Sequence, residues 1–121
     1  MLAAVWPRPV MPPETEDRPL ASEEVLALLR ARWGASYDLR LQRRGGRLYF
    51  QVMWAYLEQQ SFPLSADDYR LQLEEVVEQL NGLGVGGLVR RWLQETPDRP
   101  RLGKALSLPL PDLGRQSEFL L

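Results

Sequence analysis

Residues 33–64 read WGASYDLRLQRRGGRLYFQVMWAYLEQQSFPL, and this stretch decides the fold. Gly45-Gly46 suits a two-residue type I′ turn, which needs positive φ at both positions. Counting outward pairs Arg44 with Arg47, Arg43 with Leu48, Gln42 with Tyr49 and Leu41 with Phe50. Arg40 then meets Gln51, Leu39 meets Val52, Asp38 meets Met53 and Tyr37 meets Trp54. Side chains alternate faces along a strand. One face therefore collects Tyr37, Leu39, Leu41, Phe50, Val52 and Trp54. The other collects Arg40, Gln42, Arg44, Arg47, Tyr49 and Gln51. A slip of one residue would destroy this sorting, so the pattern itself specifies the register.

Working outward, Ser22 is placed to cap a helix whose first turn holds Glu23 and Glu24, and Gly34 supplies its stop. Val25, Leu28, Leu29 and Trp33 share one face of that helix. After the hairpin, AYLEQQSF (55–62) is ambiguous between strand and helical turn, and Pro63 forbids continuation as a central strand. Ser65 with Asp68 resembles a capping box for a helix over 66–81. Tyr69, Leu73, Val76, Val77 and Leu80 face inward there, and Asp67, Glu74, Glu75 and Glu78 face water. A short helix over 87–95 follows, with Leu88, Val89 and Trp92 inward. Leucines at 102, 106, 108 and 110 predict a third strand over 102–110. The expected class is α+β: a small, mostly antiparallel sheet of hairpin plus third strand, covered by about three helices. Residues 1–21 carry five prolines and read as a disordered tail; 22–110 form the single domain, and 111–121 form a second tail.

The chain has no cysteine and no histidine among 121 residues. That excludes disulfides, thiolate chemistry, a Ser-His-Asp triad and a Cys/His zinc site. No cofactor or metal is expected. Net charge is −1 but uneven: 30–47 is locally +5, 58–78 is −5, and 90–104 is +3. Fourteen of the fifteen basic residues are arginine. The bias fits bidentate recognition of carboxylate or phosphate, and equally a genome rich in G+C.

Two glycine motifs fall short of their full signatures. GLGVGG (82–87) formally matches G-x-G-x-x-G, yet a helix precedes it and Leu102 stands where the acidic partner should be, so it reads as a helix stop and start. Gly103-Lys104 ends like a phosphate loop, but Asp98 occupies the place of the upstream glycine. The candidate partner- or anion-binding residues are therefore Arg40, Arg43, Arg44, Arg47, Tyr49 and Gln51 on the hairpin, with Arg99, Arg101 and Lys104 in the basic loop. Tyr56, Glu58 and Gln59 form a candidate pocket. Glu58 is the best acid or base but lacks a second carboxylate.

The strings Trp33-Gly34, Ser36-Tyr37-Asp38-Leu39, Gln51-Val52-Met53-Trp54, Tyr56-Leu57-Glu58-Gln59 and Arg101-Leu102-Gly103-Lys104-Ala105 resemble the family called domain of unknown function 3067, found in cyanobacteria and plastid-bearing eukaryotes. The resemblance covers about residues 22–110. It implies a compact α+β domain of unusual topology, no established activity, and a cytoplasmic setting near photosynthetic membranes. It supplies no catalytic residues. The expected function is a non-enzymatic binding or accessory/assembly module acting on another protein through the arginine-rich hairpin face. The alternative is nucleic-acid or phosphorylated-ligand binding by the same face, and the third is an enzyme using Glu58 or Asp67 and Asp68.

Overall fold

A computed structural model describes residues 18–111. The elements are α1 (Ser22–Trp33), β1 (Tyr37–Arg44), β2 (Arg47–Tyr56), α2 (Ala66–Gly82), α3 (Gly86–Glu95) and β3 (Leu106–Pro109). The strands form one antiparallel sheet in the order β1-β2-β3, so the fold is α+β and β1 is an outer strand. Apart from residues 18–21 and 111, the two expected tails lie outside the described residues.

The hairpin turns at Gly45 (φ 60°) and Gly46 (φ 80°), as a type I′ turn requires. Its register matches the sequence from Arg44↔Arg47 down to Leu39↔Val52. There it breaks: Tyr37 pairs with Tyr56, not Trp54, so β2 carries two extra residues opposite Asp38. Both sides of the irregularity are anchored. Gln72 of α2 donates to the Asp38 carboxylate and, at 3.1 Å, to the Leu39 carbonyl. On the far side the Leu57 N–H donates to the Ser36 carbonyl at 2.9 Å. The inserted residues carry Trp54 out of the core, where the uninterrupted register had placed it. Trp33 and Trp92 do pack against the core.

Leu39, Phe50 and Val52 are buried with residues of all three helices in one hydrophobic cluster. The Phe50 ring meets Trp92 edge-on, with centroids 5.8 Å apart. Leu41 is only partly buried against this cluster. On α2 the inward set Tyr69, Leu73, Val76, Val77 and Leu80 is buried as expected, and Ser65 Oγ accepts from the Asp68 N–H at 3.1 Å.

Three local expectations are corrected. Ser22 is the first helical residue of α1, not its cap; Ala21 takes that place without a side-chain hydrogen bond. The Asn81 amide grips the Leu20 backbone on both sides (2.8 and 2.9 Å) and fixes where the chain enters the helix. Leu20 is itself buried in the core. Second, α3 is rotated relative to the expected face. Gly86, Val89, Arg90 and Leu93 point inward, while Leu88 is exposed. Arg90 turns in because it forms a two-pronged pair with Glu24 of α1 and also reaches the Pro19 carbonyl at 3.1 Å. Third, the last strand covers Leu106–Pro109 rather than 102–110. Gly103 (φ 77°) turns the chain before it, leaving Leu102 87% exposed at the tip.

Candidate functional site

The hairpin tip gathers Arg43, Arg44 and Arg47, all exposed. Arg44 and Arg47 are cross-strand neighbours, an arrangement in which like charges destabilise a hairpin. Arg47 donates to the Leu110 carbonyl at 3.3 Å. Among the described residues, none of the three forms an ion pair, and the acidic side chains of α2 do not reach them. Arg40 is instead paired with Asp38 at 3.2 Å. Two of the predicted face residues are less available than the others. Gln51 on the central strand is 7% exposed and donates to Ser107 Oγ at 2.9 Å. Tyr49 is half-buried and pairs across to Pro109.

The second basic group is built on a tight turn. Arg101 and Lys104 exchange backbone hydrogen bonds (2.8 and 3.3 Å) around Leu102-Gly103. With Asp98, Arg99 and Leu106 they line a cavity of about 130 Å³. This turn stands at the Val52 end of β2, whereas the hairpin tip stands at the Arg47 end. At about 3.4 Å per residue the two basic groups are separated by about 20 Å. They are two loci rather than one surface.

Tyr56, Glu58 and Gln59 come together, but as a latch. Glu58 Oε1 accepts from the Ser36 N–H at 2.9 Å and Oε2 accepts from Ser36 Oγ at 2.6 Å. Arg30 Nε donates to the same Ser36 Oγ at 2.9 Å, and the Arg30 and Glu58 charges lie 3.9 Å apart. Burial pushes the Glu58 carboxyl upward, but the hydrogen bonds from the Ser36 side chain and backbone outweigh it, and the net displacement is downward. A general acid at neutral pH needs the opposite. Gln59 turns back so that its Oε1 accepts from the Tyr56 N–H at 3.4 Å. Nearby, Tyr69 is buried and donates its hydroxyl to the Tyr37 carbonyl at 2.9 Å, and burial raises its pKa. Among the described residues no group of three His, Cys, Asp or Glu side chains could hold a metal ion, and no helix is long and apolar enough to cross a membrane.

One feature was missed from sequence. A groove of about 450 Å³ runs between β1 and α2, lined by Leu39, Arg40, Leu41, Gln72, Glu75, Val76 and Gln79. The helix residues recur at 72, 75, 76 and 79, the spacing of one helical face. That spacing was legible. That β1 is the outer strand and faces this helix was not.

A family model described as Domain of unknown function (DUF3067) matches residues 23–120. The match runs about ten residues past the expected limit near Leu110. The chain is also similar to the solution NMR structure of the Alr2454 protein from Nostoc sp. strain PCC 7120, at 41% identity and a TM-score of 0.75. That alignment covers 84% of this chain and 98% of the Nostoc protein. No curated protein matches the chain.

Proposed function

We propose that this chain, which belongs to the DUF3067 family, is a non-enzymatic binding module that docks an acidic partner protein on its hairpin tip. The observation that carries this reading is the Arg44–Arg47 pair, set opposite each other at an exposed turn with no carboxylate of the described chain beside it. Two neutral residues would make a more stable hairpin there. A partner supplying carboxylates gives the repulsion a use, since guanidinium forks take carboxylates bidentately. The Nostoc relative supports a setting in a photosynthetic cell, where an accessory or assembly role would fit.

The alternative of nucleic-acid binding has less support. Single-strand binders stack bases on open aromatic rings, and Tyr49, the one aromatic among the hairpin candidates, is half-buried beside Pro109.

The test is the triple substitution Arg43/Arg44/Arg47→Gln, melted at low and high salt and used as bait beside the unaltered chain in a cyanobacterial extract. Unchanged or raised stability with loss of a specific captured protein supports the proposal. A drop in stability that high salt abolishes would return these arginines to the fold. Identical capture by both baits would reject the site.

A further inference from the structure

We propose that the open edge of β1 receives the partner as an extended, acidic segment that adds a fourth strand to the sheet beside α2. The inference rests on the hairpin arginines being a partner site and names the kind of partner.

The hydrogen-bond parity of the hairpin comes first. In a two-residue hairpin the pair flanking the turn is hydrogen-bonded, and bonded and non-bonded pairs then alternate. Arg44, Gln42 and Arg40 therefore spend their backbone groups on β2. Leu39, Leu41 and Arg43 aim theirs outward, away from the sheet. Two observed bonds fix this assignment. The outward Leu39 carbonyl accepts from Gln72 at 3.1 Å. On β2 the Leu48 carbonyl, of the same parity, accepts from the Leu110 N–H at 2.9 Å on the β3 side. Gln72 thus closes the edge at Leu39. Among the described residues, no hydrogen bond outside the ladder uses the backbone groups of Leu41 or Arg43.

Beside this edge lies the groove. Leu39, Leu41 and Val76 give it an apolar lining, and Arg40, Gln72, Glu75 and Gln79 give it a polar rim. An outer strand flanked by a helix is the arrangement that binds extended peptides by strand addition, with the backbone supplying affinity and the groove reading alternate side chains. The charges select the occupant. Gln72 bonds the groove at its Asp38–Leu39 end, and β1 runs on from there to Arg43 and Arg44 at the tip. Antiparallel pairing of β1 with a second copy would crowd the arginines of both copies, so the edge is guarded against itself. An acidic segment meets no such barrier. Its alternate side chains would seat an apolar group between Leu41 and Val76 and place carboxylates at the tip. A nucleic-acid strand would meet the arginines but leave the edge amides unused.

The probe is a displayed library of random octapeptides selected against the full chain. The enriched sequences are then synthesised and titrated against ¹⁵N-labelled protein. Enrichment of alternating acidic and apolar residues is expected, with the Leu41 and Arg43 amides protected from exchange. Arg43→Gln keeps the outward N–H and should weaken binding about tenfold. Arg43→Pro removes that N–H without touching the β1–β2 ladder and should weaken it about fivefold more. If Arg43→Pro fails to fold, replacing alternate peptide amides by esters tests the same bonds on unaltered protein. Binding that needs the arginines but leaves both amides unprotected would overturn strand addition while the partner site stood. Protection that is indifferent to Arg43/Arg44/Arg47→Gln would overturn the acidic occupant and the partner site together. So would a library that enriches nothing over the triple-glutamine control.

Discussion

Removing the Glu24 carboxylate should be among the costliest single changes on this protein's helical layer. The Arg90 side chain is 6% exposed and that of Glu24 is 29% exposed. Two guanidinium nitrogens of Arg90 donate to the two carboxylate oxygens, fastening α3 to α1. Breaking a fully buried pair costs about 3–5 kcal/mol, because the orphaned charge remains desolvated. Water reaches Glu24 more easily, so Glu24→Gln should cost less, about 2–3 kcal/mol. For a packed unit of this size that is a fall in Tm of about 10–20 °C. The pH dependence has a definite sign. The hydrogen bond from Arg90 holds the Glu24 carboxyl below the usual carboxylate range, against the opposing effect of burial. A depressed carboxyl contributes its stability above the unfolded pKa and loses it as pH falls through the folded one. The gap between wild type and Glu24→Gln should therefore be full at pH 7 and narrow below about pH 4. Thermal melts of both proteins from pH 7 to pH 3 measure it. A Glu24→Gln melt within 2 °C of wild type at pH 7, or a gap that widens in acid, would refute the pairing as a stabilising contact.

Three further outcomes follow from the packing. Phe50 is fully buried, so Phe50→Ala should cost about 3–5 kcal/mol by denaturant titration. Trp54→Ala should cost less than about 1.5 kcal/mol, whereas Trp92→Ala, which strips the ring from Phe50, should cost about 3 kcal/mol in the same assay. Ser65→Ala removes the acceptor for the Asp68 N–H and should lower stability by about 1 kcal/mol, with rescue by Ser65→Asp.

The hairpin was legible because two independent signals agree on it. Gly45-Gly46 demands a particular turn, and the period-two pattern on either side demands a particular register. The α2 helix was legible for the same kind of reason, a cap at Ser65 followed by a sustained apolar face. Legibility ended where a partner distant in sequence sets the geometry. Asp38 looks like one more outward residue of β1, yet Gln72, thirty-four positions away, draws its carboxylate in. Trp54 looks like core because the register cannot announce its own interruption; the Ser36–Glu58 latch that fixes the far side is a contact across 22 positions. Arg90 looks like surface until Glu24 is set against it, 66 positions away. In each case a polar group is bonded by a side chain distant in sequence, and short-range periodicity carries no trace of that.

The candidate site divides along the same line. Sequence could count arginines at 40–47 and cations at 99–104, but not that β3 runs antiparallel to β2 and so puts the second group at the opposite end of the sheet. Two cationic loci about 20 Å apart cannot share one small anion. The strand order that separates them also makes β1 an outer strand, with no strand among the described residues on its far side. The hairpin becomes a directional feature: a groove bonded by Gln72 at its Leu39 end, a stretch of outward backbone at Leu41 and Arg43, and a tip whose Arg43, Arg44 and Arg47 form no ion pair among the described residues. A cationic patch alone would select for charge and nothing more. Charge at the end of an open strand edge selects for an extended backbone as well, and that conjunction is what favours a peptide segment over a phosphate or a folded acidic surface.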